Sequence, residues 1–281
     1  MAEQHAPPVP PKPSPGSLIV TFYGAYGRDL APDGRVPIAA LIRLLAAVGV
    51  DAPSVRSAVS RLKRRGLLTA HGSGSKAAGY APSPGARQLL EDGDRRIYHR
   101  PVPDRQWLLA VFSVPESERQ RRHILRSRLS RLGFGNAAPG IWIAPSHLEP
   151  EARHSLERLG LSSYVDLFRG THAGFEPTAD AVARWWDLSA IAALHRAFLT
   201  AHEPVLSSWV RRRKIPPEAA YRDYLLALDS WRRLPYADPG LPPALLPDDW
   251  PGERSARVFA ELHSRLHAPG ARYAAAQLSP D

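Results

Sequence analysis

Between residues 53 and 65 the chain carries Ser54, Arg56, Ser57, Ser60, Arg61, Lys63 and Arg64, interleaved with the apolar Val55, Val59 and Leu62. Spacings of three and four put the apolar residues on one helical stripe. They put Ser54, Ser57, Arg61 and Arg64 along another face, with Arg56, Ser60 and Lys63 beside it. The chemistry on offer is hydrogen bonding to a polyanion with readable edges. Guanidinium forks match guanine edges, short hydroxyls reach bases or phosphates without steric cost, and an ammonium suits phosphate. The same pattern also fits an ordinary amphipathic helix whose basic face is simply solvated.

The flanking residues decide how such a face would be presented. A preceding helix is predicted from Pro37, which presets its first turn, with Ile38, Leu41, Ile42 and Leu45 facing inward. Gly49 falls where a helix end needs left-handed backbone, Asp51 can cap the next helix, and Pro53 fits that helix's first turn. The basic helix is therefore expected over Pro53 to Arg65. Leu67 to His71, a Gly-Ser tip at Gly72 to Ser75, and Ala78 to Pro82 then read as a hairpin. Helix, tight turn, basic helix and hairpin together spell a winged helix-turn-helix whose second helix enters the major groove of DNA. Lys63, and Lys76 beside the hairpin tip, are expected on phosphates.

At 281 residues the chain can form two or three domains with their own cores. It has no cysteine, which removes disulfides, thiolate metal sites and thiol nucleophiles. No apolar run approaches the ~18 residues of a membrane span. The opening lacks the basic-then-apolar order of a signal peptide, so a cytoplasmic protein is expected. The formal net charge is +10, and only Lys12, Lys63, Lys76 and Lys214 among the 37 basic residues are lysines. A polyanionic partner fits that charge, although an Arg-rich, Ala-rich and Pro-rich composition also follows genome composition. Residues 1–16 are too proline-rich to pack and are expected to be a disordered tail.

Farther along, a short helix is expected over Pro84 to Leu90 and a polar connection over Asp92 to Pro103. A strand at Trp107 to Val114, a helix at Glu116 to Leu132, strands at Phe134 and Ile141 to Ala144 around a turn at Asn136 to Gly140, a helix at Pro150 to Leu159 and a strand at Ser163 to Phe168 follow. That βαββαβ order suggests a ferredoxin-like split βαβ domain. On its first helix Arg119, Arg122 and Arg126 share a stripe, with Arg121, Arg128 and Arg131 nearby. This suits a DNA-backbone or dimer contact, or a solvated face. From Thr178 onward the pattern is helical. Trp185, Trp186, Trp209 and Trp231 supply bulky aromatic surface, and Arg211, Arg212, Arg213 and Lys214 form a dense basic cluster. An aromatic-lined cavity with a cationic mouth would take an anion bearing an apolar group; a packed core with a solvated basic loop fits equally.

Other chemistry finds less support. His263 and His267 are four apart, yet HSRLH lacks the Glu of a zinc-protease motif, and no metal is expected there. The GSGSK segment at Gly72 has the spacing of neither a nucleophile elbow nor a phosphate-binding loop.

The three-part order resembles the PaaX family of repressors of phenylacetic acid degradation and their relatives. The resemblance rests on SLIVTFYGAYGR (Ser17 to Arg28), IAALIRLLAAVGVDAPSVRSAVSRLKRRGLL (Ile38 to Leu68), RRIY (Arg95 to Tyr98), GFGNAAPGIWIAP (Gly133 to Pro145), WWDL (Trp185 to Leu188) and DPGLPPALLPDDWPG (Asp238 to Gly252). It implies a winged-helix N-domain, a central domain shaped like the CRISPR nuclease Cas2, a helical C-domain, and dimeric operator binding relieved by an acyl-CoA such as phenylacetyl-CoA. Around Gly72 to Gly79 this chain has small residues where relatives often place Arg and Tyr.

The expected fold class is therefore α+β. A tail at 1–16 precedes a winged-helix domain at 17–93 and a linker at 94–104. A ferredoxin-like, Cas2-like domain at 105–175 is followed by a helical effector and dimerisation domain at 176–281. The expected function is a homodimeric, non-enzymatic repressor that needs no cofactor and contacts double-stranded DNA through Ser54, Arg56, Ser57, Ser60, Arg61, Lys63, Arg64 and Lys76. It would be released by a small anionic effector held near Trp185, Trp186, Trp209, Trp231 and Arg211 to Lys214. The alternatives are a Cas2-type metal-dependent nuclease and a DNA-binding protein without an effector. A nuclease would place an Asp at the end of the first central strand, where this chain has no acid before Glu116.

Overall fold

The computed structural model describes residues 13–71, 79–99 and 106–279. The expectations for most of the tail, for the hairpin tip with Lys76, and for the end of the linker lie outside these residues. In chain order the elements are α1 Pro15–Phe22, a wide π-helical turn Tyr23–Gly27, α2 Arg28–Leu30, β1 Val36–Pro37, α3 Ile38–Ala46, α4 Ala52–Arg64, β2 Leu68–His71, β3 Gly79–Pro82 and α5 Pro84–Tyr98. Then come β4 Trp107–Phe112, α6 Arg119–Arg131, β5 Gly135–Ala138, β6 Ile141–Pro145, α7 Glu149–Arg158, β7 Val165–Gly170 and α8 Thr178–Trp185. The chain finishes with α9 Leu188–Val210, α10 Pro217–Trp231, α11 Leu234–Ala237 and α12 Gly252–Leu278.

These elements form two compact units, and neither is continuous in sequence. One gathers the chain up to His99, Arg196–Arg232 and the residues from Glu253 onward; the other gathers the chain from Arg100 to His195 and Arg233–Gly252. The segments expected from sequence were each continuous.

In the first unit, α1 begins two residues inside the expected tail. Ser14 caps it, its hydroxyl accepting from the Ser17 amide at 3.1 Å, and Pro15 fits the first turn. Leu18, Ile19, Phe22, Tyr23 and Tyr26 are buried. A Cβ on Gly27 would fall 2.7 Å from the Tyr23 ring and 2.8 Å from that of Phe22, so glycine lets the two rings close over the backbone. The Tyr23 hydroxyl donates to the Tyr80 carbonyl at 2.6 Å, tying this segment to β3.

The buried Asp229 carboxylate on α10 gathers three partners. It accepts from the Ser17 hydroxyl at 2.6 Å, the Thr21 hydroxyl at 2.7 Å and Arg232 Nε at 3.2 Å. Arg232 also donates to the Ser17 hydroxyl at 2.7 Å. A carboxylate that is 2 % exposed would be costly without such donors.

Residues 94–98, expected in the linker, are helical, and the expected short helix at Pro84 runs on to Tyr98. The polar run from Asp92 to Arg96 reads as a connection, but only its outer side faces solvent. Asp94 pairs with Arg28, the Ile97 carbonyl accepts from the Trp231 indole at 3.0 Å, and the Tyr98 hydroxyl meets that of Tyr224 at 3.2 Å.

The second unit is built on an antiparallel sheet of order β5-β6-β4-β7. Alternation along the strands sends side chains to both faces, and both are covered. Leu108, Ala110, Trp142 and Ala144 pack on Leu125 and Leu129 of α6 and on Ala152 and Leu156 of α7. Trp107 and Ile143 pack on Val182, Trp186, Ile191 and Leu241. Gly135 permits this second layer, because a Cβ there would sit 2.7 Å from both the Trp185 carbonyl and the Trp186 ring. Asn136 pairs with Trp142 inside the sheet, so the turn is confined to the residues around Gly140, whose φ is +78°. The expected turn began at Asn136; the pairing extends past it.

Two outcomes test the first unit. Asp229→Ala strands an arginine and two hydroxyls and should cost about 3 to 5 kcal/mol in urea unfolding, while Asp229→Asn should cost less; a neutral Asp229→Ala would remove the network's role. The second concerns His202, whose imidazole burial pushes down to about 4, with Asp223 acting in the opposite sense. The unfolded imidazole takes its proton near pH 6.5 and the folded one resists to about 4, so stability is full above pH 6.5 and falls with acid through that window. The loss should reach about 3 kcal/mol. Urea midpoints at pH 7 and pH 4.5 should differ more for the native chain than for His202→Gln; equal differences would reject this.

Candidate nucleic-acid interface

The basic helix α4 starts one residue earlier than expected, at Ala52, and ends at Arg64. The turn before it passes through Gly49 at φ +79°, and the Val50 amide returns to the Leu45 carbonyl at 3.0 Å. Asp51 then caps α4. Its carboxylate accepts from the Ser54 amide at 2.8 Å and from the Ser54 hydroxyl at 3.0 Å, and these bonds hold its pKa below the usual carboxylate value. Val55, Ala58, Val59 and Leu62 are buried, and this stripe fixes which face looks outward.

The outward face is what the spacing led one to expect, with one refinement. Arg56, Ser57, Ser60, Arg61, Lys63 and Arg64 are all exposed, whereas Ser54 is half-buried and its hydroxyl is engaged by the cap. Arg61 donates to the Ser57 hydroxyl at 2.7 Å across one helical turn, which orients its guanidinium along the face. Arg56, Lys63 and Arg64 make no ion pair among the described residues, and α4 contains no acid. Arg65, exposed at the C-cap and bonded through its amide to the Arg61 carbonyl at 3.1 Å, extends the cationic end beyond the expected set. After Gly66 at φ +69° the chain enters β2, which pairs with β3, and β3 pairs with β1 in a three-stranded antiparallel sheet. The β1 strand was not foreseen, since two residues are too few to show alternation. On β2 the exposed His71 ring meets the Thr69 hydroxyl at 2.9 Å.

The four tryptophans expected around an effector are divided between the units. In the second unit, the Trp186 indole donates to the Gly133 carbonyl at 2.9 Å, and Trp185 lies edge-on to Trp107. In the first unit, the Trp209 indole donates to Asp223 at 2.9 Å, while Trp231 stacks on Phe259 with centroids 4.9 Å apart. Trp186, Trp209 and Trp231 are buried with their N–H groups satisfied by the protein. Arg211, Arg212, Arg213 and Lys214 are exposed; Arg212 lies over the Trp209 ring at 4.7 Å, and Arg211 bonds back to the Ser207 carbonyl at 3.0 Å.

His263 and His267 belong to an aromatic core. His263 Nδ1 meets the Tyr224 hydroxyl at 2.8 Å, His267 Nε2 meets the Ala25 carbonyl at 3.2 Å, and the His267 ring stacks on Tyr26. Burial, then the neighbouring His267, lowers the His263 pKa. No group of three or more His, Asp or Glu among the described residues could hold a metal ion. The strand β4 is followed by Ser113 and Val114, and the first acid, Glu116, pairs with Arg122 at 3.0 Å. No described helix is long and apolar enough to cross a membrane.

Comparison with known proteins matches the chain in three consecutive regions, the last of which contributes to both units. Residues 14–84 match the family described as PaaX-like protein, residues 100–182 the PaaX protein central Cas2-like domain, and residues 186–276 the PaaX-like protein C-terminal domain. The Transcriptional repressor PaaX of Escherichia coli (strain K12) is 26 % identical over 275 residues, which span 95 % of this chain and 84 % of the relative. In fold, the chain is similar to the uncharacterized protein Rv0674 from Mycobacterium tuberculosis, with a TM-score of 0.59 and 20 % identity over 94 % of this chain and all of that one. With all three consecutive family regions matched in order, the chain belongs to the PaaX family.

Proposed function

We propose that this protein is a homodimeric transcriptional repressor that reads its operator with α4. The observation that carries the reading is the acid-free outer face of α4, where a capped helix presents Arg56, Arg61, Lys63 and Arg64 with Ser57 and Ser60 between them. The sequence α3, turn, α4, β2, β3, with β1 closing the small sheet, supports a winged helix-turn-helix around that face. The name of the relative, a transcriptional repressor, supports the regulatory role. In the second unit the sheet order β5-β6-β4-β7 is the one a ferredoxin-like split βαβ domain adopts, consistent with a Cas2-like domain reused as scaffold.

In this reading Asp51 and Ser54 fix the entry of α4 into the major groove. Arg61, held by Ser57, is the candidate for a bidentate guanine contact, and Arg56, Lys63 and Arg64 engage phosphates. The effector is a small anion of the acyl-CoA type, a reading that rests on the family resemblance, with the exposed Arg211 to Lys214 cluster as the candidate for its phosphates. Release of DNA then requires two dimer states with different effector affinities.

Fluorescence anisotropy against labelled DNA from the gene's own upstream region tests the main claim. Saturable binding that resists nonspecific competitor at physiological salt is expected, and binding that competitor abolishes would reject operator recognition. Arg61→Ala should weaken the operator complex by about 1 to 3 kcal/mol and relax preference at one position, whereas Arg56→Ala should weaken all sequences alike and lower the salt slope by about one. Unchanged operator affinity for Arg61→Ala would withdraw the guanine contact. Titration of a panel of CoA esters by calorimetry, repeated with operator present, should find an ester whose affinity and the operator's fall by the same factor; operator binding insensitive to every ester would leave a repressor without this effector. Metal-dependent cleavage of the duplex would identify a nuclease instead.

A further inference from the structure

The second unit carries a charged surface that the recognition helix does not account for. The α6 sequence RQRRHILRSRLSR holds six arginines and no acid in 13 residues. Leu125 and Leu129 anchor it on the sheet, so the rest of the helix turns outward. Like charges three or four positions apart, such as Arg119 with Arg122, Arg122 with Arg126 and Arg128 with Arg131, each weaken a helix by about 0.2 to 0.5 kcal/mol. A face needed only for solubility would mix signs and avoid that cost.

The structure sorts these arginines into two groups. Arg121 pairs with Glu118 at 2.7 Å, Arg122 pairs with Glu116 and also donates to the Val114 carbonyl at 2.8 Å, and the half-buried Arg128 donates to the Ser155 hydroxyl. These three have structural employment. Arg119, Arg126 and Arg131 are exposed and make no ion pair among the described residues, with the exposed Gln120, His123 and Ser130 between them. Arg158 of α7 adds a fourth exposed cation near Arg128, whose pKa is lowered by burial and then by that neighbour. Arg119 and Arg126 are two turns apart, about 10 Å along the axis. Unpaired guanidiniums with short polar side chains between them repeat the composition of α4, here without a groove-reading setting.

We propose that the outer face of α6 is a second DNA contact, in which Arg119, Arg126 and Arg131 bind the phosphate backbone without reading sequence. The inference rests on the repressor reading above and extends it to a unit that reading uses only as scaffold. Double-stranded DNA is the occupant favoured by charge complementarity, because three unpaired cations along a rigid helix suit a repeating polyanion and leave a neutral protein surface uncompensated.

The test compares two triple variants by anisotropy on an operator duplex with long flanks and on a nonspecific duplex, each over a range of salt. In one variant Arg119, Arg126 and Arg131 are changed to Gln. In the other Arg153, Arg169 and Arg184, exposed arginines of the same unit already paired with Glu149 or Glu176, are changed to Gln, removing equal formal charge. The first should lower the slope of log affinity against log salt by about 2 to 3 and weaken both duplexes while leaving the preferred sequence intact. The control should leave the slope near native. Equal slopes in the two variants, changed or unchanged, would overturn the proposal. A native protein that binds neither duplex would instead overturn the repressor reading. Removing like charges should leave the thermal midpoint no lower than native; if it falls, Arg126→Gln alone should still lower the slope by about one, and an unchanged slope for it overturns the proposal too.

Discussion

The first unit depends on one buried carboxylate. Asp229 sits more than two hundred residues from Ser17 and Thr21, yet its Oδ1 accepts hydrogen bonds from both and from Arg232. A charge withdrawn from water is tolerable only when the surrounding donors replace its hydration, and three donors in one cluster do so. Because α1 packs on α3 and α4 as well as on α10, the bond that seats α1 also fixes the support of α4. The candidate DNA-reading face is thus carried by a helix whose buried stripe rests on this core, and Tyr23, Trp231 and Tyr224 add further long-range ties.

On that support, short-range chemistry fixes the ends and the outer face of α4. Asp51 supplies the cap that satisfies the Ser54 amide, and Ser57 holds the Arg61 guanidinium along the helix face. Preorganised side chains lose less freedom on binding, so such local bonds suit the DNA contact proposed for this face even though they add little to folding. With no acid along the helix, Arg56, Lys63 and Arg64 make no ion pair among the described residues.

The second unit solves a different problem. A small antiparallel sheet exposes two faces, and here α6 and α7 cover one while Val182, Trp186, Ile191 and Leu241 cover the other. Close approach of Trp185 and Trp186 requires glycine at 135, and the turn at Gly140 requires left-handed backbone. The segment from Asp238 to Gly252 joins this layer through the buried contact of Asp238 with His195 at 3.1 Å. Several motifs that carry the family resemblance are therefore packing devices: the glycines and tryptophans mark where layers touch.

Local patterns were legible from the residues alone. The α4 stripe, the Asp51 cap, left-handed Gly49 and the βαββαβ order all follow from interactions within a few positions, which is the range over which spacing and capping act. Element ends were less legible where tertiary partners extend an element, as in α5, whose polar last turns are held by Arg28, Trp231 and Tyr224. The role of the tryptophans was ambiguous for the same reason: an indole lining a cavity and one bonded in a core have the same sequence neighbours, and only the partners at Gly133, Asp223 and Ile97 reveal burial. Sequence by itself determined which face of α4 is cationic and how its helix begins, because those depend on neighbours along the chain. Which arginines of α6 stay unpaired turns on nearer neighbours, Glu118 taking Arg121 and Glu116 taking Arg122. Tertiary structure alone decided that α1 and the turn after it share one core with α10 and α12, because hydrogen bonds across more than two hundred residues leave no periodic trace.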